Sequence, residues 1–136
     1  MSNPLTPGTV PAASVLDATC LLALLLKEPG AAVVAAVLNH RALISAVNYH
    51  EVVAKLVDRG MTSSAINDAL QLPFELIDFD EEQAMAAGLL RATTRSFGLS
   101  AGDRACLALA LAYSLPALTA DRIWINLPGT NVALIR

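Results

Sequence analysis

Between Arg104 and Asp121 the chain carries no charged residue. The run opens with the turn Leu99-Ser100-Ala101-Gly102-Asp103-Arg104. It continues as Ala105-Cys106-Leu107-Ala108-Leu109-Ala110, which reads as a helix to about Tyr113. A helix with no polar face is buried on most of its surface. The rest of the chain must therefore enclose it, and Asp103 is held at the edge of the core. Three other acids share that setting: Asp17, Glu51 and Asp121.

Short apolar segments alternate with helical patterns along the chain. Ala13 to Leu16 reads as a strand running into Asp17, Ala42 to Val47 as a buried strand, and Phe74 to Phe79 as a third. Pro116 to Thr119 and Val132 to Ile135 complete the set. Helices are expected over Thr19 to Lys27, stopped by Glu28-Pro29-Gly30, and over Ala31 to Asn39. Asn48 to Arg59 is amphipathic through Val52, Val53, Leu56 and Val57, and Gly60 ends it. Thr62 to Leu70 is another helix. A long one runs from Asp80 to about Phe97, with Gln83 placed for a capping box. Strands alternating with helices predict an α/β fold with a mostly parallel sheet buried on both faces.

At 136 residues the chain is expected to form one domain, residues 13–136. It follows an arm, residues 1–12, that Pro4, Pro7, Gly8 and Pro11 mark as frayed. The composition is 55% hydrophobic and 4% aromatic, so the core is aliphatic and disorder is confined to the ends. The formal net charge is −3, whereas a protein that holds nucleic acid by charge alone is usually basic. Any such role needs a local patch or bound cations. Cys20 and Cys106, both in apolar runs, read as buried thiols of a reducing compartment. No secretory signal is visible, and Asp17 interrupts the one apolar stretch near the start, Val15 to Leu26. A cytoplasmic protein without a membrane span is the expectation.

The parallel sheet gives the four acids a common address. Sites in open parallel sheets form beyond the carboxyl ends of the strands. Asp17 ends the first strand and Asp121 follows the fourth. Asp103 opens a helix, and Glu51 is expected in the first turn of the helix after the second strand. Together they would repel one another unless cations neutralised them. Oxygen-only ligands favour Mg²⁺ or Mn²⁺, and two such ions roughly 4 Å apart form a clamp for in-line phosphoryl transfer. Each acid also has a local reading. Asp103 with Ser100 fits a capping box, Glu51 can pair with Lys55 on a helix face, and Asp121 can cap the turn that follows. Asp17, set between Val15-Leu16 and an apolar helix, is the hardest to dismiss, because an unpaired buried acid is expensive.

Val15-Leu16-Asp17-Ala18, Ser45-Ala46-Val47-Asn48 with Glu51, the stretch Leu99 to Ala110, and Leu118-Thr119-Ala120-Asp121-Arg122 resemble PIN-domain ribonucleases, VapC-type toxins in particular. The resemblance covers about residues 13 to 136. It implies a three-layer αβα fold and a metal-binding quartet of Asp17, Glu51, Asp103 and Asp121. It also gives supporting roles to Thr119, beside the metal or water, and to Asn48, one helical turn before Glu51. Some relatives carry a further acid where Ile123 and Trp124 stand here. The implied activity is Mg²⁺- or Mn²⁺-dependent cleavage of RNA to a 3′-hydroxyl and a 5′-phosphate, with Arg91, Arg95, Arg104 and Arg122 as candidate phosphate contacts. The implied partners are a second copy of the chain and a cognate antitoxin, whose basic side chain would sit among the four acids and displace metal. The apolar residues of Thr19–Leu26 and Ala31–Leu38 exceed one buried face and are expected to mark an interface. Two alternatives stay open: a flavodoxin-like phospho-acceptor module in which Asp17 takes the phosphoryl group, and a degenerate PIN domain that only binds.

Overall fold

The computed structural model describes residues 3–136. Five parallel strands form one sheet in the order β3-β2-β1-β4-β5. They are β1 (Ala13–Leu16), β2 (Arg41–Ser45), β3 (Glu75–Ile77), β4 (Ala117–Thr119) and β5 (Val132–Leu134). Alternating side chains of the central strands face two separate cores. Leu16, Ala42, Ile44 and Leu118 point into one, with residues of α1 (Ala18–Leu25), α2 (Ala31–Val37), α3 (Ala46–Asp58) and α4 (Ser63–Ala69). Val15, Leu43 and Ala117 point into the other, against Cys106, Leu107, Leu109 and Ala110 of α7 (Ala101–Tyr113) and against Trp124. The result is the three-layer αβα fold that the resemblance implies, with the parallel sheet that the alternation of strands and helices predicts.

Helix α7 lies over β1, β2 and β4 and is flanked by α3 and by α5 (Glu81–Leu89). Its residues Ala105 to Ala110 are all buried. Contact on several sides is what a helix without a polar face requires, and it fixes where Asp103 emerges.

Several expectations need correction. The second strand ends at Ser45 rather than Val47, because the Ser45 hydroxyl accepts from Val47 N–H and caps α3 directly. Glu51 therefore falls in the second turn of α3, not the first. The long helix from Asp80 breaks after Leu89 into α6 (Arg91–Thr94) and a 3-10 turn, Arg95–Phe97. There the hydroxyls of Thr93 and Thr94 donate to the Leu90 carbonyl at 3.2 and 2.8 Å and compete with the helical ladder. The N-terminal arm is docked over its described residues: Leu5 N–H donates to Leu134 O at 2.8 Å, and Leu5 and Val10 pack on the core. Met1 and Ser2 lie outside the described residues. Most of the apolar surplus of the first two helices is buried, while Ala32 and Ala35 are exposed and Leu24 to Leu26 half-buried. Cys20, Leu21, Leu22 and Ala23 of α1 and Val33, Val34 and Val37 of α2 are buried inside the molecule. The well-exposed large apolar side chains are elsewhere, among them Val57, Met85 and Leu89. Cys20 and Cys106 are free and buried, as expected.

Candidate metal centre

All five strands run the same way, so their carboxyl ends share one rim. Four helical starts face that rim, and each is set by a local capping choice. Asp17 accepts from Cys20 N–H at 3.1 Å and caps α1. Ser45 caps α3, which carries Asn48 and Glu51. Ser100 and Asp103 form a complete capping box on α7: Asp103 N–H donates to the Ser100 hydroxyl, and Ser100 N–H to Asp103 Oδ2 at 2.9 Å. Asp121 accepts from Ile123 N–H at 3.1 Å and caps the turn Arg122–Asn126. Three of the four acids thus do serve as caps. Capping and convergence are compatible, because helix N-termini carry partial positive charge that favours carboxylates, and here those termini gather at one edge of the sheet.

Asp17 is the innermost of the four, at 3% exposure. Thr19 Oγ1 donates to its Oδ1 at 2.6 Å, and Thr119 Oγ1 donates to its Oδ2 at 2.5 Å. Each hydroxyl in turn accepts a backbone N–H from the segment after β4, Ala120 to Thr19 and Asp121 to Thr119, both at 3.0 Å. The two threonines therefore tie Asp17 to the loop that carries Asp121. Burial pushes the Asp17 carboxyl up to about 6, against the opposing pull of the bonds from Thr119, Thr19 and Cys20.

Glu51 is half-buried, and burial together with the negative charge of Asp103 raises its carboxyl above the usual range. Asn48, 1% exposed, donates from Nδ2 to Glu51 Oε1 at 3.2 Å and to Gly102 O at 3.0 Å. Both partners are acceptors, which fixes the amide orientation. Asn48 Oδ1 is then buried with no hydrogen-bond partner among the described residues. The alternative Glu51–Lys55 ion pair is absent among the described residues; Glu51 turns to Asn48 instead. Beneath the rim, burial and the charges of Asp17, Asp103 and Glu51 together push the Cys106 thiol well up. Three of the four acids therefore bear on this one buried sulfur, although they lie up to 86 positions apart in sequence, from Asp17 to Asp103. Asp121 joins them through its backbone bond to Thr119.

Among the described residues no three His, Cys, Asp or Glu side chains stand close enough to hold one ion. The donor set fits a hard divalent cation all the same. It is all oxygen. Glu51 Oε2, Asp103 Oδ1 and Asp121 Oδ2 carry no hydrogen bond among the described residues, each lying on a carboxylate whose other oxygen is held. The phospho-acceptor alternative fits poorly. The segments around β4 and β5 carry Arg122 and Arg136 but no lysine to meet a phosphoryl group on Asp17.

Arg104, considered as a partner for a nearby acid, donates instead to the Leu99 carbonyl at 2.9 Å and braces the turn before the capping box. Arg91, Arg95 and Arg122 are exposed and form no ion pair among the described residues. Thr19 was not legible as a site residue, since a threonine two positions after an acid reads as an ordinary helix start. Gly102 gave a faint signal, being a glycine inside the first turn of a long helix.

Comparison with known proteins agrees with this architecture. Among curated proteins none matches the sequence. Among solved structures the chain is similar to VapBC2 from Rickettsia felis bound to a DNA fragment from its promoter, at 18% identity and a TM-score of 0.71, covering 90% of this chain and 98% of that one. A toxin–antitoxin complex from Klebsiella pneumoniae gives 20% identity and a TM-score of 0.70, covering 91% and 98%. VapBC-5 from Mycobacterium tuberculosis, a member of the VapBC family of toxin–antitoxin systems, gives 22% and 0.60, covering 93% and 99%. These likenesses establish the fold. The family model of the PIN domain matches residues 14–129, and the chain belongs to the PIN domain family.

Proposed function

We propose that this chain is a Mg²⁺- or Mn²⁺-dependent endoribonuclease, the toxin of a toxin–antitoxin pair of VapC type. What supports the reading is that, in a PIN-family chain, Asp17 and Asp121 follow the parallel strands β1 and β4, while Asn48 bridges Glu51 to Gly102, the residue before Asp103. Asp17, Asp103 and Asp121 would hold the cation, with Glu51 binding directly or through water. Bound there, the cation would supply Lewis acidity toward a phosphodiester and activate the attacking water.

The chain's own residues do the positioning. Thr19 and Thr119 hold both Asp17 oxygens and the loop of Asp121, and Asn48 sets Glu51. Arg91, Arg95 and Arg122 are exposed and would supply phosphate contacts, for which guanidinium forks are suited. Metal also answers the net charge of −3, since bound cations let an acidic protein hold a polyanion. The likeness to solved toxin–antitoxin complexes supports an antitoxin partner, and a second copy is the expected assembly. No helix among the described residues is long and apolar enough to cross a membrane.

The test is incubation of the purified chain with structured RNA in Mn²⁺, in excess EDTA, and as the Asp103→Asn variant. Cleavage in Mn²⁺ alone, by the unaltered chain alone, is expected, leaving 3′-hydroxyl and 5′-phosphate ends. Full cleavage in EDTA would contradict the reading. Sequencing the new ends after induction in cells identifies the RNA.

A further inference from the structure

Gly102 occupies the second position of α7, inside the capping box, where alanine would be the better helix former. Its conformation is not the reason for glycine, since its backbone is ordinary right-handed helix. The reason lies in what fills the space of its missing side chain. A Cβ built on Gly102 would fall on Glu51 Oε1 and stand 2.7 Å from Glu51 Cδ, and the nearest atoms are all from that one carboxylate. The Gly102 carbonyl meanwhile accepts from Asn48 Nδ2, the same amide that donates to Glu51 Oε1. Glu51 is thus seated on the bare backbone of α7, one residue from Asp103, and clamped there by Asn48.

We infer that Gly102 is a positioning residue: the absence of its side chain lets α7 receive the Glu51 carboxylate beside Asp103, and Asn48 locks the pair of helices in that register. The inference rests on the metal-site reading for its consequence, but not for the placement itself. The obstructing atoms are the far end of a flexible side chain rather than backbone. A methyl at 102 therefore leaves the fold intact and turns Glu51 out of the site. This separates stability from function: the substitution favours the helix while it spoils the rim.

The experiment compares the unaltered chain, Gly102→Ala, Glu51→Ala and the double variant Gly102→Ala/Glu51→Asp. In EDTA, Gly102→Ala is expected to melt at or above the temperature of the unaltered chain. Its Asn48 side-chain amide resonances, seen by NMR without metal, should move as they do in Glu51→Ala. Calorimetric Mn²⁺ affinity should fall roughly 10–100-fold, the usual effect of losing a residue that orients a ligand. The double variant should recover part of that loss, because aspartate withdraws the carboxylate by one methylene and makes room for the methyl. Unchanged Asn48 resonances and unchanged Mn²⁺ affinity in Gly102→Ala would overturn the inference. So would a melting temperature far below that of the unaltered chain, which would make Gly102 a packing residue. If the unaltered chain takes up no Mn²⁺, the metal reading fails, and the Asn48 resonances alone decide the placement: displaced they support it, unmoved they overturn it.

Discussion

The buried Asp17 carboxyl should make the metal-free protein lose stability as pH rises. Its pKa stands at about 6 in the folded chain against an ordinary 3.8, with burial as the dominant cause. The folded state therefore binds this proton more tightly than the unfolded state. The contribution of Asp17 to stability is greatest below about 3.8 and falls as pH climbs through about 6. A shift of about two units is worth about 3 kcal/mol. Asp17→Asn isolates the effect. Asparagine keeps the shape and can still accept from Cys20 N–H, but its amide must face Thr119, which already accepts from Asp121 N–H. The variant thus gives up about one hydrogen bond, or about 1 kcal/mol, at every pH. It should be slightly less stable than the unaltered chain near pH 4 and about 2 kcal/mol more stable near pH 7.5. Urea unfolding in EDTA reads this through Trp124, the sole tryptophan and fully buried. The decisive quantity is the stability difference between the two proteins, which should change by about 3 kcal/mol across the window. A difference that stays constant with pH would refute the argument, as would one that moves the other way. Added Mn²⁺ should restore the unaltered chain near pH 7.5 and leave the variant unchanged.

Other outcomes follow from the same geometry. Ser100→Ala removes half of the capping box on α7 and should cost about 1 kcal/mol in urea unfolding. Leu109→Ala opens a cavity in the core that also holds Trp124 and should cost about 2–5 kcal/mol with an unchanged urea slope. An antitoxin that inserts a basic side chain among Asp17, Glu51, Asp103 and Asp121 competes with the cation. Its affinity, measured by calorimetry, should fall as Mn²⁺ rises; indifference to metal would mean that it blocks the site by covering it.

Much of the fold was legible because its signals were local and agreed with one another. The uncharged run after Arg104 required a helix enclosed on several sides, and α7 is that helix. Asp17 at the end of an apolar strand foretold a buried acid at a sheet rim, which a parallel sheet supplies. Failures came where side chains compete with the backbone or where contacts are long-range. Apolar spacing alone could not reveal that Thr93 and Thr94 would take the Leu90 carbonyl and interrupt the helix. The Pro-rich arm looked frayed because its partner, the Leu134 carbonyl, lies at the other end of the chain. The leucines and valines of α1 and α2 suggested an interface because sequence does not say that both helices sit against the sheet, with α3 alongside. Within the candidate site, the carboxylates were legible as acids at the ends of apolar segments. Thr19 and Gly102 were not, since one works through a hydroxyl shared across the rim and the other through the side chain it lacks.

Calorimetric titration of Mn²⁺ into the metal-free chain, repeated for Asp17→Asn, Glu51→Gln, Asp103→Asn and Asp121→Asn, tests the central claim most directly. The unaltered chain should bind the ion, and each substitution should weaken binding roughly ten-fold or more while the protein remains folded. If the unaltered chain takes up no Mn²⁺, or all four variants bind as it does, the four acids are helix caps and buried hydrogen-bond acceptors alone, and the nuclease reading is wrong.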